Sequence, residues 1–250
     1  MGSIISTGSE PIIEIKHLQI SFGENHVLQD FNLIVRKGEN VVVLGKSGCG
    51  KSVLIKCIVG LLNYDAGELK VFGQEISSLD QQTLDSLRAK IGFVFQSSAL
   101  YDSMTVRENL EFSLRRHGKH KSRSEMDALV KGTLENVGLL NSIEKMPAEL
   151  SGGMKKRIGL ARALILHPEI MLYDEPTTGL DPITAKDISD LMLEMQKKYN
   201  ASSIIISHDM HCARLIANRI AVMVDGICYA EGTYDRLASH PDSKIHAFFE

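Results

Sequence analysis

Apolar and polar positions fall into two rhythms along the chain. Over residues 12–35 they alternate around the turn-forming stretch Phe22-Gly23-Glu24-Asn25, which predicts short antiparallel strands. Further on, at 41–44, 91–95, 170–173, 203–206 and 220–224, the apolar runs are continuous. Such runs suit strands covered on both faces, the usual condition of a parallel sheet flanked by helices. Helical spacing falls between them, with Val53, Leu54, Ile58 and Leu61 marking a helix over 52–62 and a second predicted over 184–199. From about 103 to 150 the sequence turns charged and helical with no convincing strand, so a helical lobe inserted into an α/β core is expected. No internal repeat and no long linker interrupts this order.

Two places where strands end carry candidate chemistry. The run at 41–44 leads into Gly45-Lys46-Ser47-Gly48-Cys49-Gly50-Lys51-Ser52, and Val53 continues into the predicted helix. Three glycines at this spacing let the backbone curl until successive N–H groups point inward, an anion nest at the positive end of a helix. Lys51 is placed to reach the β- and γ-phosphates and the Ser52 hydroxyl to ligate Mg2+, so the segment predicts binding of a nucleoside triphosphate. About 120 residues later the run Ile170-Met171-Leu172-Tyr173 ends in Asp174-Glu175. Acids at the carboxyl edge of a sheet face the ligand crevice of open α/β folds. Asp174 is placed to hold Mg2+, directly or through water, and Glu175 to polarise the attacking water. Cys49 sits inside the nest, where Lys51 and the helix dipole favour a thiolate, and where modification is expected to block ATP by bulk.

Composition narrows the class without naming it. With 250 residues, 44 % of them hydrophobic, the chain can bury one large core or a core with a subsidiary lobe. A net charge of −3 argues against a nucleic-acid binder. No apolar run approaches the roughly 18 residues that cross a bilayer, so any membrane role is expected through a partner. The first ten residues have no signal-peptide pattern and read as a flexible lead-in. Cys49, Cys57, Cys212 and Cys228 show no CxxC spacing, as expected of reduced cytosolic thiols. The basic run at 115–123 is either a solvated loop or a site of attraction to anionic lipid headgroups.

The segment Leu150-Ser151-Gly152-Gly153-Met154-Lys155-Lys156-Arg157, shortly before the Asp174 strand, resembles the LSGGQ signature of the ATP-binding cassette ATPases. Ser151 with the flexible Gly152 and Gly153 opens a helix whose N–H groups can receive phosphate charge. The resemblance extends from about residue 12 to 238 and implies further roles. Gln96 matches the glutamine-loop residue that touches Mg2+ or the attacking water. His208 matches the switch histidine that contacts the γ-phosphate and Glu175. Asp181, in Gly179-Leu180-Asp181, matches the loop that communicates across a dimer. Phe22 aligns with the aromatic that stacks on adenine, where the family more often has Tyr; core packing is the other reading of this side chain.

Such a resemblance implies a P-loop α/β fold with a mixed or parallel sheet, an N-terminal antiparallel β-subdomain and an inserted helical signature subdomain at about 97–160. Residues 11–250 then form one cassette. It also implies a Mg2+-dependent ATPase working as a homodimer, each ATP held between the phosphate loop of one copy and the Ser151 signature of the other. Residues 97–106 are expected to line a groove for an integral-membrane permease on the cytoplasmic side of a bacterial inner membrane. Gly-Gly-Met-Lys-Lys-Arg at 152–157, together with the stretches at 95–106 and 146–153 and Asp-Glu-Pro-Thr-Thr-Gly-Leu-Asp-Pro-Ile-Thr at 174–184, is similar to the Mla-type ATPases of phospholipid traffic, whose partners carry an MCE domain. An importer of amino acids or another small solute is the alternative, and a soluble ATP switch without transport the alternative of another class. The tail with His246, Phe248 and Phe249 docks on the partner subunit or on nothing.

Overall fold

The computed structural model describes residues 10–117 and 121–249. All but the last residue of the expected flexible lead-in, and Gly118, Lys119 and His120 of the basic run, lie outside the described residues. The alternating stretch folds as a hairpin: β1 (Pro11–Phe22) pairs antiparallel with β2 (Asn25–Arg36), closing at the turn where Phe22 faces Asn25. Then follow β3 (Asn40–Gly45), α1 (Lys51–Ile58), β4 (Ala66–Val71), β5 (Gln74–Glu75), α2 (Gln81–Arg88) and β6 (Ile91–Val94). The charged helical region supplies α3 (Val106–His117) and α4 (Arg123–Asn136), and α5 (Gly152–Leu164) follows it. The chain continues through β7 (Ile170–Asp174), α6 (Pro182–Tyr199), β8 (Ser202–Ile206), α7 (Met210–Ile216), β9 (Arg219–Val224), β10 (Ile227–Gly232), α8 (Tyr234–Ala238) and α9 (Ser243–His246).

The described strands form one sheet in the order β5-β4-β1-β2-β10-β9-β3-β8-β7-β6. Every continuous apolar run lies in its parallel part, β9-β3-β8-β7-β6. The first four strands are antiparallel, and the two parts meet where β10 runs parallel to β2, with Ile227 opposite Asp30. Strand β3 is buried along its whole length, and its side chains alternate between two cores. Val41 and Val43 pack with α1 and the hairpin, while Val42 and Leu44 pack with α5, α6 and α7. Burying each such side chain contributes roughly 1.5–3 kcal/mol, which fixes β3 at the centre of the molecule.

Three departures from the sequence reading have physical causes. Helix α1 stops at Ile58 rather than reaching 62, because Gly60 takes a left-handed conformation (φ 65°). The N–H of Leu61 then donates to Lys56 O (2.8 Å) and that of Gly60 to Cys57 O (2.9 Å), a Schellman termination. Strands β4 and β10 carry few buried side chains, so neither shows the apolar run or clean alternation that would reveal it. The helical region is not separately cored: Val106, Leu110, Val130 and Leu134 share one apolar cluster with Val42 and Leu44 of the sheet.

Candidate functional site

Strand β3 ends at Gly45 and the chain loops back to start α1 at Lys51. Gly50, at the helix N-cap, has φ 105°, and a Cβ there would lie 3.0 Å from the Val27 carbonyl oxygen, so only glycine meets both demands. Among the described residues no side chain caps α1. Helices α2 to α6 differ, since their first turns meet oxygens of Asp80, Thr105, Ser122, Ser151 and Asp181. Among the described residues, no side-chain oxygen therefore competes for the first N–H groups of α1, and they open on a cleft at the positive end of the helix dipole. Lys51 is buried beside them, its Nζ donating to Gly45 O (2.6 Å) and Lys46 O (2.9 Å), which holds an ammonium at the cleft floor.

Parallel pairing brings the other chemical groups to the same edge. Strand β8 lies between β3 and β7, so residues following all three strands emerge together. The Ser52 hydroxyl donates to Asp174 Oδ1 (3.2 Å). Burial, with the Glu175 carboxylate nearby, holds the Asp174 carboxyl above the usual carboxylate range, against the opposing pull of Ser52, Lys56 and Lys51. A hydroxyl and a carboxylate are hard oxygen donors of the kind Mg2+ prefers, so these residues fit that ion. The described residues contain no cluster of three or more His, Cys, Asp or Glu side chains placed for a metal, so phosphate and water would complete the shell.

Glu175 is the strained member of the site. Its φ of 51° is unusual for a residue with a side chain, and neighbouring contacts hold it there. Its N–H donates to Ile206 O (3.0 Å), and its Oε2 accepts from the Thr178 hydroxyl (3.2 Å). The same oxygen lies 2.8 Å from His208 Nδ1. His208 is largely exposed toward the cleft while Glu175 is largely buried, so the acid is held from behind and met by the imidazole from the open side.

The cleft encloses about 800 Å³ and is lined by Gly45, Lys46, Ser47, Gly48, Gly50, Lys51, Ser52, Val53, Gln96, Asp174, Glu175 and His208. Phe22 lines it too and is 50 % exposed, which removes the core-packing alternative. Val27, Met210, Ala247 and Phe248 also line it and were not foreseen. Met210 follows His208 closely enough to have been suspected. Phe248 carried no local signal, and the tail packs back on its own chain, where Phe249 meets the Tyr234 ring edge-on (5.3 Å).

Other predicted residues are not in this cleft. Ser151, Gly152, Gly153 and Asp181 do not line it. Ser151 Oγ accepts from the Met154 N–H (3.3 Å), closing its own helix end. Gly152 and Gly153 are the first residues of α5, and a Cβ on Gly153 would lie 2.7 Å from Thr184 Cγ2. Asp181 caps α6, accepting from the N–H groups of Ile183 and Thr184 and from the Thr184 hydroxyl. The thiolate expectation for Cys49 fails. Its side chain turns behind the loop toward Gly45, and burial raises the thiol pKa despite Lys51.

Residues 28–178 match the family model described as ABC transporter. The methionine import ATP-binding protein MetN of Campylobacter jejuni is 37 % identical over 95 % of this chain and 75 % of its own length. The intermembrane phospholipid transport system ATP-binding protein MlaF of Haemophilus influenzae is 36 % identical over 97 % of this chain and 91 % of its own. The chain spans 64 % to 91 % of the length of these and similar relatives. Among solved structures, the ATP-binding cassette MJ0796, a dimer in a post-hydrolysis state bound to ADP and Pi, superposes with a TM-score of 0.81 at 30 % identity, covering 89 % of this chain and 98 % of that one.

Proposed function

The chain belongs to the ABC transporter family as an ATP-hydrolysing cassette, and we propose that its ATPase drives the movement of phospholipid or a related lipid between bacterial membranes. The observation that carries the ATPase part is the Glu175–His208 pair, 2.8 Å apart at the edge of a cleft that also holds the phosphate loop. The loop N–H groups and Lys51 receive the phosphates, and Phe22 stacks on the adenine. Ser52 and Asp174, with Gln96 beside them, would hold Mg2+, which when bound neutralises charge on the β- and γ-phosphates. Glu175 orients and polarises the attacking water, and His208 holds that carboxylate while reaching toward the γ-phosphate.

The residues outside the cleft complete the reading. Ser151, Gly152 and Gly153 meet ATP held in the cleft of a second copy, and Asp181 relays between the two sites. ATP then favours the closed dimer because these contacts exist only there. Residues 11–250 act as one cassette, with the helical lobe at 97–160 facing a membrane permease. The loop between β6 and α3, where Phe95 and Tyr101 are exposed, is the surface offered to it. No described helix is long and apolar enough to cross a membrane, so the membrane step is assigned to that permease.

Support for lipid as cargo comes from the MlaF match and from the variant signature at 152–157. The second reading, an importer of an amino acid, rests on the methionine import ATPases that predominate among the most similar relatives. Purification of the tagged chain from its native membranes in mild detergent, followed by mass spectrometry, separates them. A permease accompanied by an MCE-domain protein and phospholipid is the expected result. A permease with a solute-binding protein would move the cargo to the second reading.

A further inference from the structure

We propose that Lys156 is a positioning residue for hydrolysis, fixing from helix α5 the backbone on which Gln96 and Glu175 stand. The inference rests on the roles given above to those two residues. Lys156 is 7 % exposed, and its Nζ donates to the carbonyl of Gln96 (2.6 Å), with the carbonyl of Glu175 at 3.5 Å. Those carbonyls follow β6 and β7, which are neighbours in the sheet, so one ammonium ties two strand ends to the helix headed by Ser151. An ammonium is buried at a cost that its hydrogen bonds must offset. Burial lowers the Lys156 pKa while the Glu175 carboxylate opposes that change.

The rest of the same helix face points to the same task. Lys156, Gly159 and Arg162 are spaced three apart and lie in one row. A Cβ on Gly159 would lie 3.1 Å from Ser98 Cβ, so the glutamine loop rests directly on the helix. Arg162 donates to Ala99 O (2.5 Å) and Ser98 O (3.3 Å). Ser98 and Ala99 have φ of 62° and 45°, and Glu175 has 51°. Three non-glycine residues in left-handed conformations thus stand at the two strand ends, and such conformations persist only where the surroundings over-determine them. Helix α5 supplies part of that constraint at both ends, and Lys156 is the side chain that reaches both.

Lys156 does not line the cleft, so its loss is expected to loosen the acid and the glutamine without touching the phosphate contacts. The test is single-turnover hydrolysis of Mg-ATP by the full chain over a range of ATP concentrations, with rates normalised to folded, ATP-bound protein. Lys156→Met is expected to lower the hydrolysis rate about tenfold (~1.4 kcal/mol of barrier), with the half-saturating ATP concentration within about twofold of the parent. Lys156→Gln, which keeps a neutral donor, is expected to recover part of the loss. If Lys156→Met is too unstable to assay, Lys156→Gln alone decides, with a rate below the parent expected. A rate per folded chain equal to the parent in the assayed variants, with Glu175→Gln inactive beside them, would overturn the positioning role and leave the site reading intact. Near-normal turnover in Glu175→Gln would overturn the site reading and this inference together.

Discussion

Helices α1 and α5 both have glycine at their N-terminal ends, yet those ends are used differently. The mouth of α1 carries no side-chain cap and opens on a cleft already furnished with Lys51, Asp174, Glu175 and His208. The mouth of α5 is exposed, capped by Ser151 Oγ, and does not line that cleft. One helix end is finished within a single chain. On the proposed reading the other meets nucleotide held by a second copy, which would complete the site.

The largest effects should come from breaking the finished end. Glu175→Gln keeps the loop and Lys51, so ATP binding and ATP-dependent dimerisation should persist while turnover falls roughly 100-fold or more, as measured by phosphate release and gel filtration. Unchanged turnover would remove the acid from its role. A Lys51→Ala chain and a Ser151→Arg chain should each be nearly inactive, and mixing them should restore activity in part, because the mixed dimer contains one intact loop facing one intact signature. Failure of the mixture to recover any activity would mean that α5 does not complete the site across a dimer.

Smaller effects sharpen the contrast. Phe22→Ala should raise the ATP concentration at half-maximal rate about two- to tenfold, since an aromatic contact contributes roughly 0.5–1.5 kcal/mol, whereas Phe22→Tyr should change little. Alkylation of Cys49 should be slow at neutral pH and accelerate as pH rises, because its raised pKa keeps the thiol protonated where an ordinary cysteine begins to ionise. Mass spectrometry of iodoacetamide-treated protein would follow this. Cys57, buried and pushed up to about 11, serves as an internal reference. Asp181→Ala should cost about 0.5–2 kcal/mol in urea unfolding through loss of the α6 cap. An Asp181 change that spares stability but halts turnover would give it a task across the dimer beyond capping.

The sequence by itself determined the parallel core, the phosphate loop and the acid pair, because each is written in neighbouring residues: a continuous apolar run, three glycines at fixed spacing, two carboxylates ending a strand. Even the true end of α1 was written there, in Gly60, as a backbone signal that the apolar spacing of Leu61 obscured. What only the tertiary structure decided depends on distance. Residues about 30 apart in sequence bring Glu175 and His208 into contact because β7 and β8 pair in register. The Cys49 thiol faces inward because Gly45 leaves room for it, which reverses the effect expected from the nearby lysine. Lys156 shows the limit most clearly: in sequence it is one more cation in a basic stretch, and only folding removes it from water and sets its ammonium against two carbonyls. Local patterns record what a residue's neighbours along the chain require, whereas burial and long-range hydrogen bonds are set by which strands and helices come to lie side by side.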